Sequence, residues 1–168
     1  MSHITHHWAN SIAGTALSGW FQSEAWVVPT SQSIHIASVS VVFCCAVMIS
    51  LRLLGLSASG RSVSQLVNTL VPWMYRALMV LLLTGIVQTI AEPVRQFVTP
   101  VFWWKMVLII CVLALTIWFA RAVRRNAVEW DAAARPASAK WFALTSLGLW
   151  VGIVFCGRFI GYTWELYQ

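Results

Sequence analysis

The chain has 168 residues, 60% hydrophobic and 10% charged, with a mean hydropathy of +0.76. Soluble domains carry about a quarter charged residues, so a water-soluble globule is excluded. At roughly 20 apolar residues per crossing the length holds about four membrane spans with short connections, which makes residues 1–168 a single membrane domain. The formal charge of +6 does not signal nucleic acid: the basic residues flank apolar runs instead of forming a stripe interleaved with exposed aromatics.

In chain order, His3, His6 and His7 come first, a solvated group with no ordered scaffold to hold a metal. Trp8, Ile12, Ala16 and Trp20 then recur every four residues, with Leu17 and Phe21 beside them and Asn10, Ser11 and Ser18 elsewhere. That period predicts a short amphipathic helix along the membrane interface, either an anchor that shields the bundle or a lid over a pocket. The first span is expected over residues 31–54, opening after Pro29 and closing at Arg52 and Gly55. The second covers 71–91, with Pro72 in its opening turn and Glu92-Pro93 ending it. The third covers 101–120 and the fourth 141–162, the latter with Trp or Tyr at both ends. Residues 61–68 and 126–138 read as interfacial helix and loop. The fold class is therefore all-α: an integral membrane four-helix bundle with an N-terminal interfacial helix.

Lys and Arg set the orientation, since cytoplasmic loops hold their excess. Arg52, Arg61 and Arg76 surround the first connection, and Arg121, Arg124, Arg125, Arg135 and Lys140 the third, five of the eleven basic residues. The second connection has Arg95, with Lys105 at the mouth of the third span, and nothing basic precedes Pro29. Both termini are expected to be periplasmic in a bacterial inner membrane. No basic region followed by an apolar core opens the chain, so the first span is expected to act as an uncleaved signal.

His35 is the main lead, because ionisable groups within spans are rare and face the bundle interior or a wet cavity. Ser31, Gln32, Ser38 and Cys45 share its broad helix face. It is either a packed, hydrogen-bonded histidine or a ligand or proton-transfer group. The topology puts His35, Gln88, Lys105, Met106, Cys156 and Arg158 in one layer near the periplasmic side, and Thr84, Gly85, Gln88 and Glu92 form a polar stripe aimed at it. Lys105 and Arg158 could equally snorkel to headgroups and pair with Glu92 or Glu165. Tyr162 and Glu165 follow Arg158 on its own face, whereas Cys156 points about 160° away. Cys44, Cys45, Cys111 and Cys156 all fall inside spans without a C-x-x-C pair; they suit core packing, with soft copper(I) ligation the sharper alternative. Gly148-x-x-x-Gly152 and Gly157-x-x-x-Gly161 lie on opposite faces of the fourth span and would let other helices approach closely. Most of the eleven Trp sit near predicted interfaces, where anchoring explains them.

The order Trp26-x-x-Pro29, His35, Leu51-Arg52-Leu53-Leu54-Gly55, Pro72-Trp73, Thr84-Gly85 and Phe102-x-x-Lys105 resembles a family of small, uncharacterised bacterial four-helix membrane proteins, over roughly residues 20–110. More loosely, the layout looks like the membrane domain of copper-resistance D type proteins and of b-type cytochromes, in which helix histidines bind haem or metal. Relatives usually carry an acidic residue just before the Leu-Arg-Leu-Leu-Gly run, where Ser50 stands here, and often a His where this chain has Trp118-Phe119. Without a second helix histidine, bis-histidine haem within one chain is excluded unless His6 or His7 folds back. His–Met ligation through Met106, or His35 alone with Lys105 and Arg158 near the propionates, stays open.

Two functions compete. A non-catalytic subunit or helper of a larger membrane complex, embedded in lipid and touching other membrane subunits or a second copy, follows from the glycine pairs, the Trp content and the lack of a Ser-His-Asp set, intramembrane acid pair or phosphate loop. A haem b or copper electron-transfer module follows from cofactor binding by His35, Met106, Lys105 and Arg158, with His35 as the metal ligand.

Overall fold

The computed structural model describes residues 2–56, 60–132 and 136–163, and side chains between residues 6 and 162 of these. Arg135 and Glu165, and the side chain of His3, lie outside the described residues. Every regular element within them is a helix: α1 Ser2–Ala13, α2 Ala16–Ser23, α3 Val27–Leu53, α4 Val63–Ala91, α5 Pro93–Phe97, α6 Pro100–Arg125, α7 Ala127–Asp131 and α8 Ala137–Thr163.

Four of these, α3, α4, α6 and α8, are long and apolar enough to cross a membrane. They pack α3 on α4, α6 on α8 and α3 on α8, with sparser contact between α4 and α6, as successive helices running up and down. The bundle is apolar outside as well as inside. Ile36, Leu83, Trp104, Ile110 and Phe155 are all 60% or more exposed. In water that surface would drive aggregation; in a bilayer the lipid tails cover it without cost. The small hydroxyls instead turn inward, with Ser31, Ser38, Ser50, Thr84, Thr116 and Ser146 buried between helices. Where apolar burial cannot distinguish helix contact from lipid contact, such small and polar positions mark the inner faces.

Several boundaries differ from the sequence expectation. α3 begins at Val27, so Pro29 lies within its first turn instead of preceding the helix, and α6 runs on to Arg125. Pro72 is not in an opening turn: α4 starts nine residues earlier, at Val63. Ser62 accepts from the Gln65 N–H while the Gln65 side chain accepts from the Ser62 N–H, a capping box that begins the helix well before its apolar stretch. Residues 61–68 are thus mostly the polar first turns of α4 and not a separate interfacial helix. The N-terminal amphipathic segment is also two helices, α1 and α2, broken at Gly14-Thr15, where the Thr15 hydroxyl caps α2 by accepting from the Ser18 N–H.

The two ends of the bundle are closed differently. At the end bearing Arg124 and Arg125, α7 tucks under α4 and α6. Asp131 accepts from the Ser64 N–H at 2.9 Å and from its hydroxyl, which places a carboxylate on the first-turn amides of α4. Just inside, Phe119 stacks on Phe142 at 3.9 Å between centroids and meets Trp130 edge-on at 5.2 Å. At the end bearing His35, α1 lies on α5, and α2 lies on α4 and α3. The Gln22 amide donates to the Ala91 carbonyl at 2.9 Å, satisfying one of the last carbonyls of α4.

Candidate functional site

His35 stands about two turns into α3. Its Nδ1 is 2.8 Å from the Thr84 hydroxyl on α4. That hydroxyl also lies 2.8 Å from the Val80 carbonyl, so it either donates there and accepts from Nδ1–H or donates to a bare Nδ1. In the first tautomer the Nε2 lone pair is free; in the second Nε2 carries the proton. Gly85 makes room for the ring: a Cβ there would sit 3.8 Å from His35 Cε1. One turn along α3 from His35, the Ser31 hydroxyl donates to the Thr84 carbonyl at 3.3 Å. Ser31 and His35 on one helix, Thr84 and Gly85 on the other, thus form a polar clasp between α3 and α4.

Lys105 enters from α6, half-buried, with its Nζ 3.8 Å from where a Gly157 Cβ would be. Its charge falls within electrostatic range of His35 and of Cys156. Among the described residues the one salt bridge joins Arg95 to Glu92 at 2.7 Å, so Lys105 has no carboxylate partner there. Arg95 itself reaches across to α8, its Nη2 3.3 Å from a Gly161 Cβ position. The Gly157-x-x-x-Gly161 face thus meets two cationic side chains and not a neighbouring helix backbone, in ordinary contact at Gly157 and closely at Gly161. Gly152 is the one pressed against a helix, its Cβ position 3.4 Å from Leu108 on α6, while nothing lies within 4 Å of Gly148. The Nε atom of Arg95 and the Nε2 atom of Gln88 are buried without a hydrogen-bond partner.

The four expected site residues separate. His35 and Lys105 come together. Met106 is half-buried at the next position, about 100° round the helix. Arg158 faces outward, donating to the Tyr162 hydroxyl at 2.7 Å with its guanidinium 4.9 Å from the centre of that ring. Cys156 lies inward near Lys105, as the angle between it and Arg158 requires. Cys45 is buried, whereas Cys44 and Cys111 are exposed; all four cysteines are free thiols. Among the described residues no three His, Cys, Asp or Glu side chains converge as a metal site.

Thr84, Gly85 and Gln88 were legible as a stripe, but their pairing with His35 depends on the register of α3 against α4. Arg95 was missed as an inward-reaching group because it sits in a connection. Its signal was Gly161, a residue with no side chain opposite a cation. Two cavities belong to the other end of the bundle. A closed one of about 10 Å³ lies between Ala46, Met74, Phe119 and Ser146, and an open groove of about 510 Å³ runs along α6 past Trp118, Arg121 and Arg125.

No curated protein and no solved structure matches this sequence, so the looser likeness to copper-resistance D type and cytochrome membrane domains gains no support. The match that is found covers residues 11–163, nearly the whole chain, and by it the protein belongs to DUF6644, a family of unknown function.

Proposed function

We propose that this chain is a non-catalytic inner-membrane protein, a subunit or helper of a larger membrane complex, with both termini on the periplasmic side. The observation that carries this reading is the state of the groups in the polar layer. His35 Nδ1 and the Thr84 hydroxyl are bonded to each other, the hydroxyl is also 2.8 Å from the Val80 carbonyl, and no acid among the described residues bonds the ring, so no nucleophile–base–acid set is assembled. The layer is built to hold and orient. Gly148 adds a place for a partner: it notches a face of α8 that otherwise exposes Trp141, Leu144, Val151 and Phe155, where another backbone can approach closely. Crosslinking in native membranes, followed by mild-detergent isolation, is expected to recover a defined partner or second copy, and Gly148→Leu to lose it without unfolding. A lone monomer with nothing crosslinked would end this reading.

The haem b or copper module fits the residues poorly. The Lys105 ammonium acts on the His35 ring within electrostatic range, and its charge opposes a metal cation there. Arg158, the second group assigned to the propionates, is spent on Tyr162 at the outer surface. The orientation rests on the five basic residues around the third connection and is tested by cysteine labelling. A cysteine at Arg124 is expected to resist impermeant reagent in intact cells, and its labelling from outside would invert the topology.

A further inference from the structure

The polar layer is unbalanced in a specific way: it holds hydrogen-bond donors in excess of acceptors. Lys105 brings three N–H groups with no carboxylate partner among the described residues. Gln88 Nε2 and Arg95 Nε are shielded from solvent with no acceptor. Glu92, the one described acid at this end with a cationic contact, is held by Arg95. Lys105 and Arg95 both lie over the same face of α8, against Gly157 and Gly161, so their charges are stacked about one helical turn apart. Glu92 neutralises Arg95, whereas Lys105 has no such anion beside it, so one cation of the pair is left uncompensated. Orphaned donors beside them cost stability unless something accepts. One missing partner answers both requirements.

We infer that Lys105, Arg95 and Gln88, the first two gathered over the Gly157–Gly161 face of α8, bind an oxyanion, a phosphate or carboxylate group. Lys105 lies about 7 Å along α6 from its first residue, and Gln88 about 4 Å from the last residue of α4, so both stand near the ends of their spans on the same side of the bundle. The oxyanion therefore comes either from the headgroup of an anionic phospholipid in that leaflet or from a small anion in the aqueous phase. His35 belongs to the same layer, and its Nε2 can accept a hydrogen bond from the bound molecule or donate one to it, according to tautomer. α1 and α2 pack on α5, α4 and α3 at this end. This inference does not depend on a partner complex, since a stand-alone protein could use the same site.

The full-length protein in mild detergent is tested by native mass spectrometry with dioleoylphosphatidylglycerol against dioleoylphosphatidylcholine, and by calorimetry with inorganic phosphate. Selective retention of the anionic lipid supports the headgroup source, and saturable phosphate binding supports the aqueous one. Equal retention of the two lipids together with no phosphate binding overturns the site. Lys105→Gln and Gln88→Leu are each expected to weaken the selective binding, about tenfold for the former and several-fold for the latter, as for charged and neutral hydrogen bonds. Arg158→Gln should leave it unchanged. Gln88→Leu replaces a polar group by an apolar one of similar size inside a membrane bundle and does not threaten the fold. Anionic-lipid binding that survives Gln88→Leu at full strength, or that falls with Arg158→Gln, places the anion elsewhere and overturns the assignment even if Lys105→Gln does not fold.

Discussion

The two ends of this bundle solve the same problem with different chemistry. At the Phe119 end, large rings fill the space between helices: Phe119, 1% exposed, is stacked on Phe142 and edged by Trp130, and Val112, Val123 and Ala143 close the gaps. At the His35 end the interior contains hydroxyls, an imidazole, an amide and two cations, with glycines providing the clearance. In lipid an apolar side chain gains nothing by leaving the solvent for the protein, so only contact density and hydrogen bonds hold helices together. The Phe119 end uses contact density and is structural. The His35 end gives up contact density for donors, a sacrifice that a purely structural layer does not need.

The sharpest way to break this contrast is to remove the contact density. Phe119→Ala should cost about 3 kcal/mol, because the stacked and edge-on ring contacts vanish and the surrounding helices cannot collapse into the void. Reversible unfolding in detergent micelles measures it, and a loss below that for the polar-layer variants would refute the division of labour. Next in size is the α6–α8 contact that both ends share. Gly152→Val must push Leu108 aside and should cost about 2 kcal/mol, while Gly148→Val, facing open space, should change stability by less than about 0.5 kcal/mol. Similar losses from the two glycines would mean that the fourth span is rotated relative to this arrangement.

His35→Gln sharpens the other side. If His35 serves only to join α3 to α4, glutamine keeps part of the bond to Thr84 and the loss is about 1 kcal/mol, as for interhelical hydrogen bonds in membranes. The same variant is expected to fold and yet lose whatever the layer binds, since an amide that stays on Thr84 no longer presents an imidazole to it. Unchanged lipid, metal and partner recovery from folded His35→Gln protein would return the residue to a packing role.

Much of this was legible before any coordinates. Four apolar stretches, their short connections and the basic loops specify a four-span bundle, because a bilayer leaves the backbone no other way to satisfy its hydrogen bonds. Helix starts were less legible. Rising hydropathy puts the start of the second span at residue 71, with Pro72 in its opening turn, although the Ser62-x-x-Gln65 capping box is visible in the sequence and marks the true start at Val63. Hydropathy reports where lipid begins, not where the helix begins. His35 and the Thr84 stripe were legible as polar faces, but their contact is a matter of the axial register of α3 against α4, which the spacing along each helix does not fix. The glycine pairs show the same limit: spacing identified them, and only packing reveals that Gly152 meets a helix, Gly148 meets nothing, and Gly157 and Gly161 meet cations.

The smallest expected effect lies at the closure of the Phe119 end, where Asp131 ties α7 to the start of α4. Burial by itself would raise the Asp131 carboxyl, but hydrogen bonds from the Ser64 hydroxyl and N–H, with Ser62 and Val63 contributing, hold it below its ordinary value of 3.8. A carboxylate that is more acidic in the folded state contributes stability that is fully present above its unfolded value and disappears as pH falls through the lower, folded one. The docking of α7 should therefore be constant from neutral pH down to about 5 and weaken only below about 4. Because Asp131 is exposed, solvent screening keeps the effect small. Trp130, the neighbouring residue and buried against Phe119, is the natural reporter. Its fluorescence, isolated by difference against Trp130→Phe, should change in that acid window, and Ser64→Ala should move the change toward the ordinary carboxylate range by removing one of the bonds that lower it. A transition centred above pH 5, or one that Ser64→Ala leaves in place, would show that α7 is held by the Trp130–Phe119 contact alone and that Asp131 merely sits beside the helix start.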